Sequence, residues 1–149
     1  MSSQKSSRES RVSTGVPGFD PVLQGGYLPE TAALVRGPPG SGKSIFSLHF
    51  LGAGLDAGET GLYINLGEPE HYVADTARGF GIDVDALHFL NLSASGEQFQ
   101  GAETYTLFES SEVETPSLVE EIRTEIQEID PDRVVIDPVT EFRYLAPDQ

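Results

Sequence analysis

A run of eight residues, "GPPGSGKS", extends from Gly37 to Ser44 and has the spacing G-x-x-x-x-G-K-S of a phosphate-binding loop. Such a loop binds because backbone N–H groups at the start of a helix converge on a phosphate, whose negative charge is favoured there. Pro38 and Pro39 have no N–H to donate. After Gly37, the first glycine of the loop, the expected donors are therefore Gly40, Ser41, Gly42, Lys43 and Ser44.

Two side chains of this loop have the chemistry to act on a nucleoside triphosphate. The Lys43 ammonium is expected to reach the β- and γ-phosphates, and the Ser44 hydroxyl is expected to bind Mg²⁺. A second group on the metal side should be an acid at the end of a buried strand, and "RVVID" supplies Asp137. The chain has neither an N-K-x-D run, which would read guanine, nor a D-x-x-G after a strand. ATP with Mg²⁺ is therefore the expected ligand.

Helices and strands alternate along the chain and are expected to position these groups. Short apolar runs predict buried strands, and apolar residues at helical spacing predict helices. The strands are predicted at 31–37, 61–66, 86–93 and 132–137, and the helices at 44–56, 70–80 and 115–129, with a short helical stretch at 19–23. The alternation predicts an α/β fold, a mostly parallel sheet with helices on both faces, whose ligands bind at the carboxyl ends of the strands.

Several local details accompany these predictions. The helix from Ser44 is apolar nearly all round and should be well buried. Pro69 is expected at the first position of the next helix, and Thr115 is expected to cap the last one. The polar stretch from Ser93 to Thr115 is long for a compact domain, which is typical of a functional or mobile segment.

The stretch "YINLGEPEHY", from Tyr63 to Tyr72, contains a glutamate that could do chemistry. Glu68 follows a predicted strand, so it should lie at the same edge of the sheet as the phosphate loop. A plain alternative exists, because negative charge at the start of a helix is favoured by ~0.3–1 kcal/mol. Glu70 has the same explanation, and the sequence leaves the choice open for Glu68. His49 is interpreted as a core residue rather than a ligand.

Composition limits the classes of function. The 149 residues suffice for one domain with a core, and no apolar run approaches the ~18 residues of a membrane span. Cysteine is absent, which excludes disulfides and thiol chemistry, and an intracellular, cytoplasmic protein is the expectation. The net charge is −15, with Lys5 and Lys43 the only lysines. This balance argues against nucleic-acid binding and is typical either of a salt-adapted protein or of an ordinary acidic one.

The order of these segments resembles the KaiC-like branch of the RecA superfamily of P-loop ATPases. "TGVPGFD" and "GGYLPE" resemble that family's approach to its loop, "RGPPGSGKSIFSLHFLGAGL" its loop and first helix, and "DRVVIDPVTEF" its Walker B strand. The resemblance covers Val12 to Leu145 and is closest to archaeal proteins, and the acidic charge favours a haloarchaeal one. It implies that 12–149 form the N-terminal part of a three-layer RecA-like ATPase domain. The polar start "MSSQKSSRES" separately predicts a disordered tail over 1–11.

The resemblance also implies a mechanism and partners. ATP in this family lies between subunits of a ring, commonly a hexamer, and a glutamate after the second strand polarises the attacking water. Two adjacent acids are usual at that place, whereas this chain has Gly67 followed by Glu68. Only a short stretch follows Asp137, so the RecA-like sheet is expected to be incomplete at its C-terminal side. Three functions remain open: a regulatory or signalling Mg²⁺-dependent ATPase with a protein partner, an ATP-binding module with little hydrolysis, and a P-loop kinase.

Overall fold

A computed structural model describes residues 10–93 and 114–144 of the chain. Within these ranges a small parallel sheet is enclosed by helices. The strands are β1 (Gly61–Asn65), β2 (His88–Asn91) and β3 (Arg133–Asp137), and the α-helices are α1 (Lys43–Asp56), α2 (Glu70–Gly79) and α3 (Glu114–Ile129). Short 3₁₀ helices cover Val84–Ala86 and Val139–Tyr144.

The central strand is β1, and it pairs in parallel with β2 on one side and β3 on the other. The register places Asn65 opposite both Asn91 and Asp137, so the carboxyl ends of all three strands meet at one edge. Every residue of β1 is buried. The structure confirms the predicted parallel α/β sheet.

Two apolar clusters lie on opposite faces of β1, because successive strand residues point to opposite sides. Tyr63 packs on one face with residues of α1 and α2, and Leu62 and Ile64 pack on the other with α3. The predicted apolar stripe of α3 is confirmed: Leu118, Ile122, Ile126 and Ile129 all join the second cluster. The helices therefore cover both faces, as the alternation predicts.

Helix boundaries differ from the predictions by a residue or two. Pro69 is the N-cap of α2 and has an extended ψ of 136°, so it precedes the helix instead of occupying its first position. The last helix begins at Glu114, one residue before the predicted cap at Thr115. Most of the polar stretch 93–115 and residues 1–9 of the predicted tail lie outside the described residues.

The prediction of a buried strand at 31–37 is wrong. These residues have no strand conformation and are exposed, with Leu34 at 69% and Val35 at 39%. A parallel strand needs a neighbour to satisfy its backbone N–H and C=O groups. Among the described residues no strand pairs with this run, and β3 forms the edge of the sheet with Val134 and Ile136 partly exposed.

Two neighbouring predictions fail in part. The stretch 19–23 forms a series of turns rather than a helix. In α1 only Leu48, Leu51 and Gly54 are buried, so the helix is less enclosed than its apolar sequence predicts. Because the run 31–37 is exposed and does not enter the sheet, it leaves part of α1 uncovered.

One buried arginine ties the segment before the loop to the sheet. The Arg133 side chain is 5% exposed and forms an ion pair with Glu59. Its Nη1 donates to the carbonyl oxygens of Ser13 and Phe50, both at 2.8 Å, and its guanidinium lies over the Phe50 ring. On this segment Asp20 accepts hydrogen bonds from the hydroxyls of Ser13 and Thr14. Arg133 thus joins β3, α1 and the N-terminal segment.

Candidate functional site

The phosphate loop has the backbone conformation that its glycines predict. Gly40 and Gly42 have φ angles of 77° and 90°, in the left-handed region that glycine adopts without strain. Gly42 is also the N-cap of α1 and has no side chain to cap it, which leaves first-turn N–H groups for an anion. A Cβ at Gly37 would lie 2.5 Å from the Ser41 Oγ, so a side chain there would require the Ser41 hydroxyl to turn away.

Two of the predicted donors bond to the loop itself. The Lys43 Nζ donates to the carbonyl oxygens of Gly37 and Pro38, both at 2.9 Å. The Ser41 N–H donates to the Pro38 carbonyl at 3.2 Å. The ammonium therefore lies over the loop, where a phosphate would offer it charged acceptors in place of neutral carbonyls.

Three predicted residues from distant parts of the chain act on the hydroxyl of Tyr63. This hydroxyl donates to the Asp137 Oδ2 at 2.6 Å. Burial raises the pKa of Tyr63 strongly, Asp137 and the nearby charge of Glu68 raise it further, and a hydrogen bond with Ser44 opposes them. Ser44 and Asp137, the two residues predicted for the metal side, thus both hydrogen-bond with one buried phenol, and the charge of Glu68 also acts on it. Tyr63 itself was not a sequence-predicted site residue.

A second buried polar side chain, Asn65, holds the turn that carries Glu68. Asn65 is 2% exposed, and its Nδ2 donates to the Glu68 carbonyl oxygen. Its Oδ1 accepts from the Gly67 N–H at 3.3 Å, and its Nδ2 also donates to the Asn91 Oδ1 at 3.3 Å. These hydrogen bonds hold the backbone of the turn. Glu68 itself is exposed, so its side chain remains accessible. Sequence reasoning missed Asn65, although an amide inside the apolar run "GLYINL" is a signal, since buried polar groups need partners.

Gly67 stands where the resemblance leads one to expect a second acid, and the structure gives a steric reason for glycine. A Cβ at this position would lie 2.8 Å from the Cδ of Pro138, which is part of a closed ring. Any side chain at Gly67 would therefore require the chain around Pro138 to move.

Replacing Gly67 with alanine should lower the free energy of unfolding by about 1–3 kcal/mol, the usual cost of overpacking. The matched control is Gly79→Ala in α2, where an added Cβ meets nothing within 4 Å. Urea denaturation of both variants measures the difference. Equal stability of the two variants would show that Pro138 yields easily, and that sterics do not explain the glycine.

The residues at this edge suit Mg²⁺ bound together with a nucleotide. Among the described residues, no group of three or more His, Asp or Glu side chains could form a metal site alone. Mg²⁺ commonly uses one or two protein ligands and completes its shell with phosphate oxygens and water. One hydroxyl, Ser44, and one carboxylate, Asp137, beside a phosphate loop fit that requirement.

A glycine-rich loop at the start of a helix, beside a parallel sheet whose neighbouring strand ends in an aspartate, defines a P-loop nucleotide-binding protein. Residues 12–149 match the family model described as the KaiC ATPase. The chain therefore belongs to the KaiC family of P-loop ATPases in the RecA superfamily. At this coarse level it is a domain of an ATPase family.

Relatives support the same assignment. A UPF0273 protein of Methanopyrus kandleri is 38% identical over 135 residues, which cover 87% of this chain and 54% of the relative. A UPF0273 protein of Pyrococcus furiosus is 36% identical over 144 residues, covering 92% of this chain and 58% of the relative. The circadian clock protein KaiC3 of Synechocystis is 37% identical over 84 residues, 56% of this chain and 17% of that protein. The chain thus spans little more than half the length of these UPF0273 relatives.

One further property concerns the helices. None of those in the described parts of the chain is both long and apolar enough to cross a membrane.

Proposed function

We propose that this chain binds ATP through the loop 37–44 and hydrolyses it in a Mg²⁺-dependent reaction. The observation that carries the proposal is that Ser44, Glu68 and Asp137 all act on the Tyr63 hydroxyl, Ser44 and Asp137 through hydrogen bonds and Glu68 through its charge. They come from α1, from the turn after β1 and from the end of β3. A phosphate-binding loop, a metal-binding pair and an accessible carboxylate are the components that phosphoryl transfer to water requires.

Each residue has a distinct role in this proposal. The N–H groups from Gly40 to Ser44 bind the phosphates, and Lys43 neutralises their charge by leaving its loop carbonyls. Ser44 and Asp137 would hold Mg²⁺, which when bound neutralises charge on the phosphate oxygens. Glu68 orients a water molecule and accepts its proton as the water attacks the γ-phosphorus, while the bond from that phosphorus to the β–γ bridging oxygen breaks and ADP leaves.

An ATP-binding module with little turnover is the second candidate, and Gly67 is the observation that favours it. Where the resemblance implies two adjacent acids, only Glu68 is present, and Pro138 blocks a side chain at the other position. Slow hydrolysis follows if the single acid orients water less well. ATP binding is common to both candidates, and the rate of turnover separates them.

Assembly and partners belong to the same proposal. The resemblance leads us to propose a homo-oligomeric ring in which the neighbouring subunit supplies basic groups to the bound ATP. We also propose that the protein has a regulatory role and acts on a protein partner. The net charge of −15 also makes salt adaptation a prediction, so assays should span low and high salt.

The decisive test is Glu68→Gln with Glu70→Gln as its matched control, since both glutamates are exposed and lie at the start of α2. We expect Glu68→Gln to retain ATP binding and to lower phosphate release at least about 100-fold, the usual contribution of a positioned base. Glu70→Gln should hydrolyse ATP at the rate of the unmodified chain. Phosphate release and binding of a fluorescent ATP analogue provide the two measurements.

Two results would contradict this assignment in different ways. An equal loss of turnover in both variants would remove the catalytic role of Glu68. Binding of ATP by the unmodified chain without phosphate release above background, at every salt concentration, would leave the binding module as the function.

A further inference from the structure

Tyr63 occupies an unusual position for a tyrosine, with its ring in the apolar core and its hydroxyl at the site. The residue is 1% exposed and packs with Leu48 and Leu51 of α1 and with Val73 of α2. Phenylalanine would fill almost the same volume without placing a polar group in the interior. Since an unpaired buried hydroxyl is costly, the Tyr63 hydroxyl is tolerated because it has a partner, Asp137.

The Asp137 backbone is already fixed without this hydrogen bond. Asp137 pairs in register with Asn65, and its carbonyl oxygen accepts from the Leu66 N–H at 2.9 Å. Its side chain is only partly buried, so rotation about the side-chain bonds is the freedom that remains. The Tyr63 hydroxyl removes that freedom by binding Oδ2 at 2.6 Å.

We propose that Tyr63 is a positioning residue for the metal side of the nucleotide site, holding the Asp137 carboxylate beside Ser44 in readiness for Mg²⁺. The inference rests on the proposed function. A carboxylate has acceptor sites on both oxygens, so Oδ1 remains available to the metal while Oδ2 is held. Hydrogen bonds of this kind to metal-binding carboxylates orient them and commonly change metal affinity by about 10–100-fold.

The ring of Tyr63 is itself well placed to serve as a fixed donor. Leu48, Leu51 and Val73 hold it on the helical side, and Phe89 of β2 lies 5.7 Å away between ring centroids. A donor on so rigid a support loses little freedom when it binds the carboxylate. A buried phenol hydroxyl needs a hydrogen-bond partner for stability, so the same bond would form even without a role in Mg²⁺ binding. The experiment must therefore separate Mg²⁺ binding from folding.

The test compares Tyr63→Phe with Tyr27→Phe in the full 149-residue chain. Tyr27 is a suitable control because it lies in the segment before the loop, where its ring packs on Phe50 of α1. A fluorescent ATP analogue is titrated first in EDTA and then at increasing free Mg²⁺, and urea denaturation is recorded for each protein. We expect Tyr63→Phe to need about tenfold more free Mg²⁺ for its half-maximal gain in affinity, with unchanged binding in EDTA. Tyr27→Phe should match the unmodified chain.

The outcomes separate this inference from the proposed function. An unchanged Mg²⁺ requirement in Tyr63→Phe, with normal ATP binding by the unmodified chain, overturns the positioning role alone. A loss of binding in EDTA equal to the loss with Mg²⁺ also overturns it, because a general structural defect would then explain the result. Failure of the unmodified chain to bind the analogue under either condition overturns both the proposed function and the inference.

Discussion

Replacing Lys43 with alanine should weaken ATP binding at least about 100-fold, equivalent to about 3 kcal/mol. The reason is that Lys43 carries the one cationic side chain within the loop, and its Nζ already lies over the loop carbonyls of Gly37 and Pro38. When phosphate is present, that ammonium forms charge-assisted bonds that no other loop side chain can replace. Binding of a fluorescent ATP analogue measures the effect.

The matched control is Lys5→Ala, which removes the other lysine of the chain and so produces the same change in net charge. It should bind ATP as the unmodified protein does. The fold should survive Lys43→Ala, because the two hydrogen bonds that are lost are exposed. ATP affinity of Lys43→Ala within about twofold of the control would refute the assignment of this loop as the phosphate site.

Replacing Arg133 with methionine should lower the free energy of unfolding by about 3 kcal/mol, near the lower end of the cost of breaking a buried ion pair. The lower end applies because the Glu59 side chain is 35% exposed and can be partly hydrated when its partner is lost. The carbonyl oxygens of Ser13 and Phe50 would lose their donor as well. This is a large fraction of the ~5–15 kcal/mol that stabilises an ordinary domain.

Arg78→Met is the matched control for this prediction. Arg78 pairs with Asp75 on the surface of α2, where the two side chains are 58% and 70% exposed. Such pairs contribute little, so a change within about 0.5 kcal/mol is expected. Urea denaturation compares the two variants, and equal midpoints would show that Arg133 does not hold the N-terminal segment to the sheet.

Local patterns were sufficient for most of the fold. Helices α1, α2 and α3 and the three paired strands could be predicted from the periodicity of apolar residues and from the positions of glycine and proline. These signals depend only on neighbouring residues. The apolar run 31–37 shows the limit of this reasoning. Its composition is that of a strand, but strand formation depends on pairing with a strand from elsewhere in the chain, and among the described residues no strand pairs with it.

The candidate site also has parts that could be predicted from the sequence and parts that could not. The chemistry of the phosphate loop could be predicted from eight consecutive residues, because the donors, the lysine and the serine hydroxyl all belong to one turn and one helix start. Asp137 could be predicted at the end of a strand, and Glu68 just after one. Neither the hydrogen bond from Tyr63 to Asp137 nor the contact that excludes a side chain at Gly67 could be predicted, since each joins residues about seventy positions apart.

By itself, the sequence determined that this protein carries a phosphate-binding loop in a parallel α/β fold of the KaiC family. Those properties reside in short stretches whose local chemistry depends little on the rest of the chain. Only the tertiary structure decided that the hydroxyl of a buried tyrosine binds Asp137, that Asn65 holds the turn of Glu68, and that Pro138 occupies the space beside Gly67. The physical reason is that strand register and side-chain packing are set by contacts between distant segments.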